Sequence, residues 1–477
     1  MKTVILSLAT LLSATVMVAQ SNTSNVSQSG DDNIADVTQI GAENSSTTTQ
    51  TGMANTATAI QGSDFFDSRN GVVEQTQEGT KNTATAQHEE DANGIFQVQV
   101  GDGNSASATQ NLALFGGGNS SEQLQEGNGN SAEVSQEGIL NTAFQTQVGD
   151  GNMASTTQEG AFNFSDINQD GAFNSASIAQ VGDFNASQQF QVGEANLANA
   201  EQWGTDNFLV QDQEGGGNVA TSLQGSSVFD SRGGEVQQIQ IGDENSAFAN
   251  HEEDNNTILQ GQVGDANSAS ADQNLGTFGG DNFAIQVQLG NGNIASASQN
   301  GSNNISDQLQ SGDENDASVT QSGTDNIALQ TQNGNGNIAN AVQGGFFFTS
   351  RGGSIDQSQT GEGNDAFARH EEDNNVVTQT QSGNGNVAFA IQNLATFGGE
   401  NEVIQFQLGD ENVAISDQNG SSNVSDIFQL GAGNFAEDVQ LGEGNSTFVT
   451  QGGSLNSSTI LQVGTNNSAV VTQIGGL

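Results

Sequence analysis

The sequence predicts an all-β protein, a parallel β-solenoid of about 19 two-strand coils with 22 residues in each coil. The first supporting observation is an 11-residue repeat, Q-x-G-x-x-N-x-A-x-x-x, whose Gln slot occurs at 39 positions from Gln28 to Gln473. The second is the position two residues before that slot. It alternates along much of the chain between Gln, as at Gln97, and a small residue, as at Ala108. Consecutive repeats therefore differ, and two of them make one coil.

Each repeat divides into a strand of seven residues and a turn of four. In the strand Asn33–Gln39 the residues Asn, Ala, Val and Gln share one parity and therefore one face. Helices can also show an 11-residue period, but Gly and Asn in every repeat are poor helix formers. We expect the face with Gln and Asn to point inward. The alternative is the opposite face, which carries apolar residues such as Val100 and Leu289.

Side-chain amides at the Gln and Asn slots are expected to hydrogen-bond to their copies in the next coil. Amides buried without partners would be costly, whereas stacked copies satisfy one another along the axis. The predicted stacking ladder comprises Gln28, Gln39, Gln50, Gln99, Gln136, Gln147, Gln158, Gln180, Gln288, Gln332, Gln440, Gln473, Asn33, Asn44, Asn104, Asn130, Asn152, Asn293, Asn337 and Asn467.

Inserted residues lengthen six of the spacings between Gln slots and delimit three cassettes, at residues 61–125, 224–288 and 343–407. In each cassette one Gln slot carries His instead, at the start of a His-Glu-Glu-Asp turn. An inserted Arg precedes that turn, and we expect the two to stack on one edge of the solenoid, about one coil apart. This cassette edge cluster comprises Arg69, His88, Glu89, Glu90, Asp91, Arg232, His251, Glu252, Glu253, Asp254, Arg351, His370, Glu371, Glu372 and Asp373.

Three roles remain open for the cassette edge cluster: a salt-bridged staple, a divalent-cation site, or a contact point for another molecule. Calcium favours carboxylate ligands, but the chain lacks the spacing of an EF-hand loop, and we assign no metal site and expect no cofactor. We assign no catalytic residue, because every His belongs to the same repeat slot. The sequence therefore predicts that the protein is not an enzyme.

Residues 1–20 have the features of a secretory signal peptide, with Lys2 near the start, an apolar run over residues 4–12 and small residues near Ala19. The predicted organisation is this signal at 1–20 and a single solenoid at 21–477, so we expect a secreted protein. The chain has no Cys, which excludes disulfides and thiolate chemistry. A formal charge of −50 disfavours nucleic acid and anionic lipid as partners. The mature chain has no apolar run long enough for membrane insertion.

The repeat closely resembles the curlin repeat of bacterial curli subunits. Residues 99–110, Q-V-G-D-G-N-S-A-S-A-T-Q, and residues 332–343, Q-N-G-N-G-N-I-A-N-A-V-Q, carry the motif, which covers nearly all of the predicted mature chain. The resemblance implies a subunit that is secreted through the outer membrane and polymerises on the cell surface into amyloid fibres for adhesion and biofilm matrix. It also implies a nucleator subunit and an outer-membrane secretion pore as partners.

The leading hypothesis for function is therefore a structural protein that stacks end to end through its open sheet edges. The alternative is a monomeric surface solenoid, an adhesin whose three cassettes bind a polysaccharide or divalent cations. Assembly of the isolated chain distinguishes the two hypotheses, because only the first predicts fibres.

Overall fold

The computed structural model describes residues 21–63, 66–112, 116–274, 279–345, 349–393 and 398–475. The predicted signal peptide at 1–20 lies outside the described residues. Within these ranges the chain forms strands joined by tight turns, and no helix long and apolar enough to cross a membrane occurs there. The strands pair in parallel. The predicted fold class, an all-β parallel solenoid, is confirmed.

The described residues group into two compact units, 21–173 with 177–183, and 174–176 with 184–475. Each unit contains two sheets, and successive strands alternate between them. We call one the glutamine sheet, because many of its strands carry the second Gln two residues before the slot, and the other the alanine sheet. The strand Ser175–Asp183 is divided between the units.

In the first unit the glutamine sheet contains Thr23–Asp31, Ser45–Met53, Val72–Thr80, Gly94–Asp102, Ser120–Glu126, Thr142–Asp150 and Phe164–Ala172. Its alanine sheet contains Ile34–Gln39, Thr56–Gln61, Thr83–His88, Ser105–Gln110, Ser131–Ile139 and Met153–Ala161. The short strands Gly41–Ala42 and Ser68–Arg69 pair with each other beside these sheets.

In the second unit the glutamine sheet contains Ala186–Glu194, Phe208–Gly216, Glu235–Ile241, Thr257–Val263, Phe283–Leu289, Ile305–Ser311, Ile327–Asn333, Ser354–Thr360, Val376–Ser382, Glu402–Leu408, Val424–Ala432, Ser446–Ser454 and Ser468–Gly475. Its alanine sheet contains Leu197–Thr205, Val219–Gln224, Ser246–His251, Ser268–Gln273, Ile294–Ser302, Asp316–Thr324, Ile338–Gln343, Asp365–His370, Val387–Gln392, Val413–Ser421, Phe435–Glu443 and Ser457–Thr465. The short strands Ser231–Arg232 and Ser350–Arg351 belong to the inserted loops.

Neighbouring strands in each sheet are in register, so that each slot lies beside its own copy one coil away. Gln28 pairs with Gln50 across 22 residues of chain, as the 22-residue coil predicts. Gln50 pairs with Gln77 across 27 residues, because an inserted loop lies between them. The insertions therefore leave the sheet register unchanged and project at the corner of the coil.

The core is a narrow layer of small side chains between the two sheets. Ala59 and Ala86 of the alanine sheet pack with Val73 and Ile95 of the glutamine sheet, and all four are fully buried. Val100 and Leu289, which mark the opposite parity, are 38% and 43% exposed. The face that carries Gln, Asn, Ala and Val is therefore the inner one, as expected.

Candidate assembly ladder and cassette sites

The Gln slot forms a side-chain ladder along the sheets of each unit, which among the described residues only the three His residues interrupt. Gln50 shows the pattern of an interior position. Its Nε2 donates one hydrogen bond to Oε1 of Gln77 at 2.8 Å and a second to the backbone oxygen of Ile34, in the opposite sheet, at 2.8 Å. Its Oε1 accepts from Nε2 of Gln28 at 2.7 Å. An interior Gln that makes this set of contacts joins its own coil to both neighbours and ties the two sheets together, which satisfies an amide that burial would otherwise penalise.

The Asn slot forms a second ladder at the corner where each strand begins. The backbone N–H of Asn130 donates to Oδ1 of Asn104 at 3.0 Å, and Nδ2 of Asn130 donates to the backbone oxygen of Gly149 at 2.7 Å. The Asn side chain therefore holds the turn before its strand against the turn of the next coil.

Burial separates the predicted ladder residues into an interior set and a terminal set. The interior set is buried and consists of Gln50, Gln99, Gln136, Gln147, Gln158, Gln180, Gln288, Gln332, Gln440, Asn44, Asn104, Asn130, Asn152, Asn293 and Asn337. The terminal set is at least partly exposed and consists of Gln28, Gln39, Asn33, Asn467 and Gln473. The terminal set lies on or directly before the first strand of each sheet and the last strand of the glutamine sheet, each of which pairs on one side only among the described residues.

A third ladder was not assigned from the sequence, although its residues set the 22-residue period. Gln97, two residues before the slot on the glutamine sheet, donates through Nε2 to Oε1 of Gln123 at 2.8 Å and to the backbone oxygen of Thr85 at 2.9 Å. Nε2 of Gln123 in turn donates to Oε1 of Gln145 at 3.0 Å. The repeated Gln-x-Gln sequence was the signal for this row.

We expected the three His side chains to lie on one edge of the solenoid with the acidic residues of the cassette edge cluster. The structure places them in the core instead. His88, His251 and His370 are fully buried in the alanine sheet. Nδ1 of His88 lies 3.3 Å from Oγ of Ser68, and that hydroxyl donates to Oδ1 of Asn44 at 2.9 Å. The Ser68 oxygen therefore accepts from Nδ1–H, which leaves Nε2 of His88 to accept from Nε2 of Gln61 at 3.2 Å.

The inserted strand shapes the space around each His, and sequence reasoning missed the residues that do so. Ser231 and Ser350 repeat the contact of Ser68, each with Oγ 3.3 Å from Nδ1 of its His. A Cβ atom at Gly71 would lie 2.1 Å from Cε1 of His88, so only glycine fits beside the ring. The sequence Ser-Arg-x-Gly, present in each of the three cassettes, was the available signal.

Each His also interrupts the Gln ladder. Nε2 of His88 and of His370 accepts from the preceding Gln at 3.2 Å, and a neutral ring bound in this way has no second hydrogen to donate to the following Gln. Nε2 of His251 has no partner among the described residues. In the described residues Oε1 of Gln110, Gln273 and Gln392, the next position in each of the three cassettes, has no hydrogen-bond partner. Burial lowers the pKa of His88 to about 4 and the pKa of His251 and His370 to about 3. These side chains are therefore neutral at physiological pH.

The inserted Arg residues reach the His-Glu-Glu-Asp turn through their backbone. The oxygen of Arg69 accepts from the N–H of Ala92 at 2.8 Å, and the oxygens of Arg232 and Arg351 make the equivalent contacts to Asn255 and Asn374. All three Arg side chains are exposed. Among the described residues, the one ion pair joins Arg369 to Glu371, with 2.7 Å between Nη2 and Oε1. The third cassette alone places Arg directly before its His.

In each acidic turn the Asp, which is Asp91, Asp254 or Asp373, is exposed, whereas Glu89 and Glu371 are buried and the remaining Glu residues are half-buried. Burial, together with the charges of Asp91 and Glu89, raises the pKa of Glu90. Burial and the two neighbouring acidic residues likewise raise the pKa of Glu253 and the pKa of Glu372. Within the described ranges no three His, Asp or Glu side chains converge as the ligands of a metal ion would. The Arg369–Glu371 pair lies outside the expected staple, because Arg369 is not one of the inserted Arg residues of the cassette edge cluster.

Comparison with known families gives one result. The family model for the curlin associated repeat matches the chain at residues 30–62, 127–160 and 442–475, so the curlin-repeat identification is confirmed. The first match spans the opening coils of the first unit and the last match the closing coils of the second. A search of curated proteins found no match to the chain.

Proposed function

We propose that this chain, which carries curlin associated repeats, is a structural subunit that assembles end to end into extracellular curli-like fibres. The supporting observation is that both terminal coils leave their sheets and ladders incomplete. Thr23–Asp31 is exposed along its whole length, and Ser468–Gly475 buries none of its residues fully. Among the described residues each of these strands pairs on one side only. Unpaired parallel edges with matching side-chain ladders are templates for a further strand.

The proposed fibres are amyloid-like and serve cell adhesion and the biofilm matrix. The support is the curlin repeat together with a regular β-solenoid, a combination suited to a structural role. A secreted, cell-surface location and the involvement of a nucleator subunit and an outer-membrane pore belong to the same proposal. Catalysis is not part of it.

Assembly of the purified mature chain, residues 21–477, tests the proposal. The chain is refolded from denaturant and followed by electron microscopy and fibre diffraction. We expect unbranched fibres with a meridional spacing of about 4.8 Å and an equatorial spacing of about 10 Å. Addition of fragmented fibres to fresh protein should remove the lag phase, because open coil ends act as templates.

Light scattering, which reports whether the refolded chain is a monomer, provides the control. A folded but persistently monomeric solution, with strand content by circular dichroism and no fibres after seeding, would contradict assembly and favour the adhesin hypothesis.

A further inference from the structure

The order in which the chain visits its two sheets makes each end of the solenoid stepped. At the amino-terminal end the first strand, Thr23–Asp31, belongs to the glutamine sheet and the second, Ile34–Gln39, belongs to the alanine sheet. At the carboxy-terminal end the last strand, Ser468–Gly475, belongs to the glutamine sheet and the strand before it, Ser457–Thr465, belongs to the alanine sheet. If the alternation continued, the next strand would therefore pair with Ser457–Thr465.

The two ends are also complementary in hydrogen bonding. Gln28 and Gln39 donate to the next coil, but in the described residues their Oε1 atoms accept no hydrogen bond. At the other end Nε2 of Gln462 and Gln473 donates only to a strand carbonyl, whereas interior Gln residues such as Gln50 also donate to the next Gln. One end therefore has two free acceptors and the other has two free donors.

The Asn ladder has the opposite polarity and the same complementarity. Oδ1 of Asn22 and Asn33 accepts the backbone N–H of the Asn one coil further along the chain, Asn44 and Asn55. Asn456 and Asn467 are the last two members, and their Oδ1 atoms accept nothing among the described residues. The backbone N–H groups of Asn22 and Asn33 likewise have no Asn before them.

We propose that a second copy of this chain docks with its strands exchanged between sheets, so that Thr23–Asp31 continues the alanine-sheet strand Ser457–Thr465 and Ile34–Gln39 continues the glutamine-sheet strand Ser468–Gly475. The inference rests on the proposed end-to-end assembly and specifies its register. In this joint both sheets continue from one copy to the next without a missing strand. Gln462 donates to Gln28 and Gln473 donates to Gln39, while Asn456 and Asn467 accept from Asn22 and Asn33.

A joint without the exchange is poorer. If Thr23–Asp31 continued Ser468–Gly475 in the glutamine sheet, only one Gln pair and one Asn pair would form. The alanine sheet would have a gap one strand wide between Ser457–Thr465 and the incoming Ile34–Gln39. That gap would leave the backbone groups of both strands without partners, at a cost of about 1–3 kcal/mol for each buried group.

Side chains that face the core match in the exchanged register. Ala35 would lie on Ala469 and Val37 on Val471, within the similar sequences A-D-V-T-Q-I-G and A-V-V-T-Q-I-G. Ser24 would lie on Ser458 and Val26 on Ile460, which is a polar pair and an apolar pair. Ala469 and Val471 are only partly buried and pack against the last core cluster.

The terminal strands also lack the residue that distinguishes the two sheets. Two residues before the slot, many interior strands carry Gln in one sheet and Ala in the other, whereas the first two strands carry Val26 and Val37 and the last two carry Ile460 and Val471. Exchange between sheets therefore does not place a Gln over an Ala at the joint.

The glycine corners are aligned by the same register. Within the chain, a Cβ at Gly442 would lie 1.9 Å from the oxygen of Gly464, so that each coil needs glycine where the next coil stacks on this corner. The exchanged register places Gly30 on Gly464 and Gly41 on Gly475.

Single cysteine substitutions test the register, because the natural chain has no Cys. Ser27, Thr38, Leu461 and Thr472 all face outward, each one residue before its slot, and are exposed. Equivalent residues on adjacent parallel strands have Cα atoms about 4.8 Å apart, within the range a disulfide spans. Fibres are grown from equimolar mixtures of two single-cysteine mature chains, oxidised, dissolved and separated without reductant.

The exchanged register predicts that S27C with L461C, and T38C with T472C, give covalent dimer as the main product. S27C with T472C should remain at the level of the reduced sample, because these residues would lie on opposite sheets. Dimer from S27C with T472C, and none from T38C with T472C, would overturn the register while leaving end-to-end assembly intact.

Fibre growth by each variant and by the wild-type chain is checked by microscopy. Absence of wild-type fibres would count against the proposed function, and not specifically against the register. If S27C or L461C alone prevents assembly, S29C with V463C tests the same pair of strands, because Ser29 and Val463 each lie one residue after the Gln slot. Failure of this pair to cross-link in intact fibres would also overturn the exchange.

Discussion

At the scale of single residues, the chain departs from its repeat where a buried titratable group enters the core. His88 replaces a Gln of the ladder. It makes no hydrogen bond to Gln110 and instead contacts the inserted Ser68. Asp438 occupies the position two before Gln440 and is fully buried, with Oδ1 accepting from Thr447 at 3.0 Å and Oδ2 unpartnered in the described residues. The two groups should respond to pH in opposite directions.

Acid should destabilise the cassettes. The pKa of His88 is lowered to about 4 in the fold, so between pH 6.5 and about 4 the unfolded chain binds a proton that the folded chain does not, and stability falls as pH falls. The loss for His88 should reach about 3 kcal/mol at pH 4. Hydrogen exchange of the amides in Thr83–His88 measures it locally.

The matched control for this measurement is H88Q, since Gln fills this slot in every repeat except those of His88, His251 and His370. The variant should lose the pH dependence in Thr83–His88 and keep it in the strands of the other two cassettes. An unchanged pH profile in H88Q would show that another group is responsible.

The opposite dependence is expected around Asp438. Burial raises the pKa of its carboxyl to about 6, so the folded state is penalised increasingly as pH rises from 3.8 to 6. Asp438→Asn should stabilise the strand Phe435–Glu443 by up to about 3 kcal/mol at pH 7 and have little effect at pH 4. Amide hydrogen-exchange rates of this strand in the wild-type and variant chains at the two pH values measure the difference. Equal destabilisation at both would mean that the Asp438 hydrogen bond to Thr447 outweighs desolvation.

At the scale of the strand and turn, the corner after each glutamine-sheet strand is built from stacked backbone and alternating side chains. The N–H of Asp265 donates to Oδ1 of Asn291 at 2.9 Å, and the next two contacts, to Asp313 and Asn335, have the same length. Charged and neutral rungs thus alternate in this stretch. Alternation keeps carboxylates two coils apart, which weakens their repulsion.

Glycine at these corners should be indispensable for a steric reason. Gly264 has φ of 117°, and a Cβ there would lie 2.1 Å from the oxygen of Gly290. Gly264→Ala should therefore destabilise its coil by at least about 2 kcal/mol, from the combined backbone strain and overlap. The denaturation midpoint and hydrogen exchange of Thr257–Val263 measure the change.

Gly261 provides the control three residues earlier, because a Cβ there would contact nothing within 4 Å and its φ is not positive. Gly261→Ala should be neutral or slightly stabilising, since it reduces the entropy of the unfolded chain. Equal destabilisation by both substitutions would contradict the stacked-corner explanation.

At the scale of the whole molecule, assembly must overcome charge. The formal charge is −50, and loss of Lys2 with the predicted signal would leave −51. Two such chains repel as they approach, whereas the ladder and backbone contacts of the joint act only at short range. Ionic strength should therefore control the rate of fibre growth more than the stability of the fibre.

Seeded growth should become several-fold faster as salt rises from 0.01 to 0.1 M, because the Debye length falls from about 30 to about 10 Å. Light scattering with sodium chloride measures the rate. Magnesium chloride at the same ionic strength is the control, and an equal rate is expected if screening is the cause. A much faster rate with magnesium would instead indicate specific divalent binding, and no dependence on salt would contradict the electrostatic barrier.

The sequence by itself determined the coil. A side chain in a solenoid meets its own copy one period later, so a 22-residue period identifies which residues touch, as Gln28 and Gln50 do. The inward parity was expected but stayed open at the sequence level, because side chains of either parity meet their own copies one coil away. The burial of Gln50 and Ala59, against the exposure of Val100 and Leu289, decided it. Only the tertiary structure decided the surroundings of His88. Its contact with Ser68 and the hydroxyl's bond to Asn44 depend on the path of an inserted strand, which has no repeat to define its register.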